Sequence, residues 1–242
     1  MASQSSHSAS RAKRGPLVLR LIRWMMISNL LVGHFVPSEA AYAQASGSPT
    51  YASYPALNGL GTNGGEPSIG VNWKSGRVFV QASTQTLRVT FNDAVSPATA
   101  TWENRSSALP QCTAATTFDP ILFTDHTTGR TFESQLLPTP ALTSLTCFTD
   151  SDADTWTPSE GGGIGSGIDH QTLGGGPFAP GLVGPIGAYP DAVYYCSQDV
   201  GAAFCSASHD GGVTFSPAMP IYTAASCSGL HGHVKVAPDG TV

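Results

Sequence analysis

The sequence predicts an all-β chain in which one structural unit repeats, and three observations support this prediction. Trp102, Trp156 and Phe215 each close a segment that contains an Asn or Asp turn, and they follow one another at intervals of 54 and 59 residues. The pentapeptide at 75–79 recurs, in similar form, at 128–132. The apolar runs are short, rich in Val, Ile, Phe, Thr and Tyr, and separated by Asn, Asp, Gly and Pro, which is typical of strands. Self-similarity at a fixed period indicates a repeat architecture.

Each unit is predicted to contain a strand, a Gly turn, a strand, a loop, a strand, an Asp turn and a final strand. Four strands in about 50 residues form one blade of a β-propeller, and propellers typically close with about 4–8 blades. The predicted blades span approximately 65–105, 115–160, 168–222 and 229–242. We therefore expect three blades and the start of a fourth, as in an N-terminal fragment of a longer propeller. An irregular β-sandwich with chance repetition is the alternative.

Residues 1–45 are predicted to be a signal peptide and short linker, which leaves 46–242 for the partial propeller. A basic region from Arg11 to Arg23 precedes an apolar stretch from Met25 to Val36, and Ala41-Tyr42-Ala43 fits the small-residue cleavage rule. The apolar stretch is shorter than the ~20 residues of a membrane span. We expect a secreted, periplasmic or cell-surface protein without a stable span after cleavage, and an uncleaved anchor is the alternative.

The charge balance after residue 45 excludes some classes of partner. Six Lys and Arg stand against fifteen Asp and Glu there, a formal net charge of −9. Nucleic-acid binding depends on clustered Lys and Arg, so it is not expected. We expect a monomer.

All five cysteines follow the leader, and export permits disulfides. Cys196 and Cys205 flank a predicted hairpin, which favours a cross-strand bridge. Cys112 and Cys147 would then bracket the second unit, and Cys227 would remain unpaired. Free or metal-bound thiols are the alternative, although the chain has no CxxC pair.

The octet Ser208–Phe215 matches the pattern Ser-x-Asp-x-Gly-x-Thr-Phe/Trp at every specified position. Thr149–Trp156 is a looser copy, and 92–102 is a degraded one. The pattern resembles the Asp-box, or bacterial neuraminidase repeat, of sialidase-like β-propellers, and the resemblance covers roughly Gly65–Val242. It implies about six blades in the full protein. It also implies that the box residues are structural: Ser208, Asp210, Gly212, Thr214, Phe215, Asp152, Thr155 and Trp156.

The shared register of the repeats gives the candidate functional residues. The first strand of each propeller blade lines the central axis, and the register places one or two acids or histidines at the start of each such strand. Candidate catalytic residues are Glu66, Asp119, Asp169 and His170, and candidate binding residues are His231 and His233. Such a group can supply paired carboxylates for glycoside cleavage, bind a divalent metal, or hold a sugar without chemistry. The alternative is that the acids cap strand ends and the histidines pack between blades. We expect no required cofactor, with a divalent metal left open.

The resemblance implies a secreted protein that acts on or binds extracellular carbohydrate or a glycoconjugate, as an exo-α-sialidase if it is an enzyme. Sialidases are expected to hold the substrate carboxylate with three arginines, because the guanidinium fork matches a carboxylate. The chain departs from this pattern. Only four arginines follow the leader, Arg77 and Arg130 lie in predicted outer turns, and Glu66-Pro67 stands near the first inner strand. The alternative is a non-catalytic propeller that binds protein or glycan at the cell surface.

Overall fold

The computed structural model describes residues 51–57, 59–62, 64–137, 143–165, 169–181, 183–227 and 232–242. These residues form twelve β-strands and no helix, which confirms the all-β prediction. Every strand lies within the compact unit Ser53–Val242. Within the described ranges no helix has the length and apolar character needed to cross a membrane. The predicted leader and His231 lie outside the described residues.

The strands form three four-stranded antiparallel sheets, as the repeat predicts, and in each sheet the strands follow in chain order. The first sheet contains β1 (Ser68–Asn72), β2 (Arg77–Ala82), β3 (Gln85–Asn92) and β4 (Thr99–Asn104). The second contains β5 (Phe118–Thr124), β6 (Thr131–Leu136), β7 (Ser144–Thr149) and β8 (Thr157–Pro158). The third contains β9 (Asp169–Gly176), β10 (Ala192–Gln198), β11 (Ala202–Ser208) and β12 (Met219–Thr223).

The Gly-Arg repeats form the tight turns between the first two strands of the first and second sheets. Gly76 and Gly129 have φ angles of 70° and 83°, in the left-handed region that a side chain disfavours. The Gly76 amide donates to Asn72 O at 2.8 Å, and the Gly129 amide donates to Asp125 O at the same distance. The two turns are therefore equivalent, and the register read from the sequence is the structural register.

The first strands of the three sheets lie side by side. The Leu122 amide of β5 donates to Ser68 Oγ of β1 at 2.8 Å. Gln171 of β9 donates its Nε2 proton to Asp119 O of β5 at 2.6 Å. In the described part of the chain the three sheets do not close into a ring.

Residues 232–236 continue this row beside β9 as an extended segment. A strand was predicted here, at the opening of a fourth blade, but described residues 232–242 contain none. The Val234 amide donates to Thr172 Oγ1 at 3.4 Å. A Cβ atom placed on Gly176 would lie 2.9 Å from Cβ of Val236, so a glycine is needed for this close approach. The segment makes side-chain and packing contacts with β9 instead of a ladder.

The core fills the spaces between neighbouring sheets. Phe79, Leu122, Ala153, Trp156 and the Cys112–Cys147 pair form one buried cluster, between the first and second sheets. A second cluster lies between the second and third sheets and includes Phe132, Phe148, Ile164, Leu173, Tyr189, Val193, Tyr195 and Phe215. Each fully buried aromatic or aliphatic side chain contributes roughly 1.5–3 kcal/mol. The aromatic residues that end the two octets therefore join adjacent sheets.

The octet Ser208–Phe215 forms a closed turn between β11 and β12. The Asp210 carboxylate accepts the Thr214 amide at 2.9 Å and the Thr214 hydroxyl at 2.6 Å. The Gly212 amide donates to Ser208 Oγ at 2.7 Å. Partial burial of Asp210 opposes ionisation, but the hydrogen bonds from Thr214 and Ser208 outweigh it and hold the pKa of this carboxyl below its usual value.

The octet Thr149–Trp156 forms the same turn with a different residue in the acidic role. Thr149 Oγ1 accepts the Ala153 amide at 3.0 Å, and Ser151 Oγ accepts the Thr155 amide at 2.9 Å. Ser151 thus replaces the box aspartate, and the assignment of Asp152 to that role is wrong. Asp152 Oδ1 instead accepts from Asn72 Nδ2 at 2.8 Å and Ser75 Oγ at 3.0 Å, because its side chain extends to the first sheet.

Two disulfides are present, with the pairing that the sequence favours. Cys112 is bonded to Cys147, and Cys196 is bonded to Cys205, its direct partner across β10 and β11. Cys227 is free and exposed. Two disulfides are typical of proteins from oxidising compartments.

Candidate functional site

The starting ends of β1, β5 and β9, with residues 232–235, surround a cleft of about 590 Å³. The sequence-predicted residues Glu66, Asp119, His170 and His233 all line it. The structure therefore brings four of the six candidate residues to one cavity. Concave sites with convergent titratable groups are the usual starting point for locating function.

Local irregularities in β5 and β9 set the positions of the central side chains. The pairing of β5 with β6 shifts between Phe118 and Ile121, and the pairing of β9 with β10 shifts near Gln198. Asp119 and His170 lie at these shifts, with φ angles of 43° and 46°. Such irregularities redirect a side chain away from its regular alternation and are frequent beside functional sites. They occur at corresponding places in two neighbouring sheets.

Asp119, Asp169 and His170 form a compact cluster at this end of the strands. One side-chain oxygen or nitrogen of each residue lies within 4.8 Å of the others, and all three residues are partly buried. His170 Nδ1 is 3.2 Å from Asp169 Oδ2 and 2.9 Å from Gln198 Nε2. Asp169 Oδ1 accepts the His170 amide at 2.9 Å. The contacts fix the imidazole between a carboxylate and an amide.

Glu66 and His233 occupy the outer part of the cleft and are exposed. Pro67 and Pro120 follow Glu66 and Asp119, and both prolines line the cleft. A proline near the start of a strand costs no ladder hydrogen bond. Glu66 therefore precedes β1, whereas Asp119 and Pro120 lie near the start of β5, where its pairing with β6 shifts. Asp169 belongs to the cluster but is not part of the cleft lining.

Three residues beside this site were missed from the sequence: Gln171, Gln198 and Lys235. Gln171 lines the cleft and holds Asp119 O, whereas Gln198 holds His170. Lys235 supplies a positive charge at the edge of the cleft. Of the three, only Lys235 could have been noticed in the sequence, because it is one of two lysines after residue 45. A glutamine inside a strand has no sequence feature that distinguishes a site residue from an ordinary strand residue.

A second cavity of about 590 Å³ adjoins the cleft and shares His170, His233 and Lys235 with it. Its remaining wall is largely apolar and includes Tyr194, Tyr222 and Val234. Burial raises the pKa of the Tyr194 phenol. The two cavities give the site a polar side and an apolar side, an arrangement that suits a ligand with both hydroxyl groups and hydrocarbon faces.

None of the four arginines among the described residues lines either cavity. Arg88 and Arg105 form ion pairs with Glu103 and Asp154 at 2.6–3.1 Å. Arg130 binds Asp150. These residues connect the sheets, and Lys235 is the only lysine or arginine of the described chain that faces the cleft.

A scan against models of protein families finds no match, and a search of curated proteins finds no significant similarity.

Proposed function

We propose that the chain is part of an exported, sialidase-like β-propeller whose cleft binds extracellular carbohydrate and hydrolyses a glycosidic bond. The convergence of Glu66, Asp119 and the Asp169–His170 pair at the adjoining ends of β1, β5 and β9 carries this proposal. Side-by-side first strands and four-stranded meanders are what adjacent propeller blades would present. The disulfides agree with export.

Carboxylates have two uses in such a cleft. They accept hydrogen bonds from sugar hydroxyls, and in pairs they serve as acid and base or acid and nucleophile in glycoside hydrolysis. Glu66, exposed at the outer part of the cleft, is placed to meet the substrate first. The apolar wall with Tyr194 and Tyr222 can pack against the hydrocarbon face of a sugar ring.

The substrate proposed is broader than sialosides. A sialoside carboxylate is expected to need a guanidinium clamp, and no described arginine faces the cleft. Lys235 supplies a point charge without the fork geometry. Neutral glycosides therefore stand beside sialosides as substrates to test.

The experiment is a screen of the purified protein against fluorogenic glycosides, with and without EDTA, alongside a glycan array. Turnover or glycan binding is expected, and Glu66→Gln and Asp119→Asn should lower it at least tenfold. Asp93→Asn is the matched control, since Asp93 is exposed in the turn between β3 and β4. A folded protein with neither turnover nor glycan binding would overturn the proposal and favour a protein-binding module.

A further inference from the structure

The cluster Asp119, Asp169 and His170 combines two carboxylates and one imidazole, and its potential ligand atoms lie within 4.8 Å of one another. Carboxylates alone suit Mg²⁺ or Ca²⁺, whereas an added imidazole nitrogen favours a first-row transition ion or Zn²⁺. Three protein ligands with the rest of the shell left to water is the usual composition of an open zinc site. The chemistry of the donors therefore selects a class of cation.

The separation of the donor atoms also agrees with a shared ion. Ligand atoms bound at about 2.1 Å to one metal ion lie about 3.0–3.4 Å apart for octahedral or tetrahedral angles. His170 Nδ1 and Asp169 Oδ2 are 3.2 Å apart. Asp119, from β5, brings a carboxylate oxygen within 4.8 Å of a ligand atom of each of the other two residues, so the three donors come from two neighbouring sheets.

Two buried glutamines provide an observation independent of the acids. Gln171 and Gln198 are 4% and 8% exposed, and in each the amide oxygen Oε1 has no hydrogen-bond partner among the described residues. The Gln198 amide faces the cluster, because its Nε2 lies 2.9 Å from His170 Nδ1. A buried polar atom without a partner destabilises the folded state. A water molecule bound to a cation at the cluster would supply a partner for the Gln198 oxygen, since that amide lies beside His170.

We propose that Asp119, Asp169 and His170 bind one divalent cation, Zn²⁺ or Mn²⁺, between the starting ends of β5 and β9. Nδ1 has a single lone pair, so it gives up its contact with Gln198 Nε2 when it binds the ion, and the Gln198 amide remains beside the site. The cation ties the second sheet to the third at the edge of the cleft. This site does not depend on the proposed carbohydrate activity, since its donors and their geometry are independent of any sugar.

The test is a titration of the untagged protein with Mn²⁺, followed by electron paramagnetic resonance of the free ion, and with Zn²⁺ in a calorimeter. One ion should bind per chain. Asp119→Asn, which removes a charged ligand, and His170→Asn, which removes the imidazole, should each weaken binding at least tenfold. Asparagine is chosen because it tolerates the left-handed backbone that both positions adopt. His126→Asn and Asp93→Asn, both at exposed positions outside the cluster, are the controls.

A second measurement keeps the test valid if a variant folds poorly. In wild-type protein, substoichiometric Mn²⁺ should broaden the imidazole resonances of His170 and leave those of His126 sharp. Equal Mn²⁺ affinity in wild type and both cluster variants would overturn the proposal. Tight Ca²⁺ binding that His170→Asn does not weaken would equally overturn it, because the imidazole would then have no part in the site. These readouts need no catalytic turnover, so they fail or succeed separately from the glycoside screen.

Discussion

The hydroxyl group of Tyr189 donates a hydrogen bond to Oδ2 of Asp125, and this contact connects the loop before β10 to the turn after β5. Asp125 is 2% exposed, and its Oδ1 accepts the amides of Thr127 and Thr128 at 2.7 and 3.1 Å. The Tyr189 hydroxyl also lies 3.0 Å from Thr128 Oγ1. Burial, with the neighbouring Asp125, raises the pKa of the phenol, so it stays a proton donor.

Tyr189→Phe should lower the free energy of unfolding by about 1–3 kcal/mol, because it leaves a buried carboxylate oxygen without its donor. Urea denaturation at neutral pH measures the change. Tyr194→Phe is the control, since the Tyr194 hydroxyl bonds to no described residue and should give less than about 0.5 kcal/mol. Equal losses in the two variants would contradict the role assigned to the Tyr189 hydroxyl.

Arg130 and Arg77 occupy matching sequence positions but have different contacts. Arg130 binds Asp150 with two nitrogens, at 2.7 and 2.6 Å, and donates to Gly211 O at 2.7 Å. Its guanidinium lies 4.2 Å from the centre of the Phe148 ring and 4.7 Å from that of Tyr189. The one side-chain bond of Arg77 to a described residue goes to Thr90 Oγ1.

Arg130→Lys should therefore cost about 1–2 kcal/mol, whereas Arg77→Lys should cost less than about 0.5 kcal/mol. Most of the Arg130 loss should come from Gly211 and the two rings, because the partly exposed Asp150 pair is screened by solvent. Thermal unfolding with and without 1 M NaCl tests this, and a loss that disappeared in salt would assign it to the ion pair instead.

Glu133 is fully buried in β6, where its Oε2 accepts the Thr86 hydroxyl and burial raises its pKa to about 8. The native state therefore keeps a proton on Glu133 that the unfolded chain releases above its ordinary pKa of 4.5. Since the native state binds more protons in this window, stability should fall as pH rises from about 4.5 to about 8. The full penalty is at most about 5 kcal/mol, at roughly 1.4 kcal/mol per pKa unit.

Glu133→Gln should remove this contribution, because an amide of the same shape does not ionise. Urea unfolding at pH 5 and pH 8.5 should show a much smaller decline in the variant than in wild type. Glu160→Gln, at an exposed position, should keep the wild-type decline. Parallel pH profiles for wild type and Glu133→Gln would show that Glu133 ionises normally.

The two disulfides should differ in their contribution to stability. Cys112–Cys147 closes 35 residues and Cys196–Cys205 closes 9. The chain-entropy model gives about 4 and about 2.5 kcal/mol for these loops. Double alanine variants of each pair, unfolded in urea, should follow that order, and Cys227→Ala should match wild type. The reverse order would show that local packing outweighs loop entropy.

Strands and turns of this chain could be predicted because they depend on local patterns. The Gly-Arg turns, the Asp turns and the apolar runs are each specified within a few residues, and all three sheets follow them. The role of Asp152 could not be predicted in this way, since its partners Asn72 and Ser75 lie in another sheet. The strand predicted at 232–236 is an extended segment instead. A strand needs a neighbouring strand to pair with, and a local sequence pattern does not show whether one is present.

Only those residues of the candidate site that occupy equivalent positions in the repeats could be predicted from the sequence. Equivalent positions in consecutive units placed Glu66, Asp119 and His170 at one end of neighbouring strands, and all three line the cleft. Gln198 lies beside His170 because the pairing of β9 with β10 is irregular there. No local sequence pattern predicts this irregularity. His231 lies outside the described residues, so its part in the site stays a prediction.

The close approach of Gly176 to Val236 couples the evolutionary histories of two positions that are distant in the chain. A methyl group at 176 would enter the volume that the valine side chain fills. Because the nearest atom is the valine Cβ itself, at 2.9 Å, a lineage that replaces Gly176 must shift this backbone segment or place a glycine at 236. Covariation of these two columns, with glycine kept in at least one of them, would then identify relatives too divergent for ordinary sequence comparison.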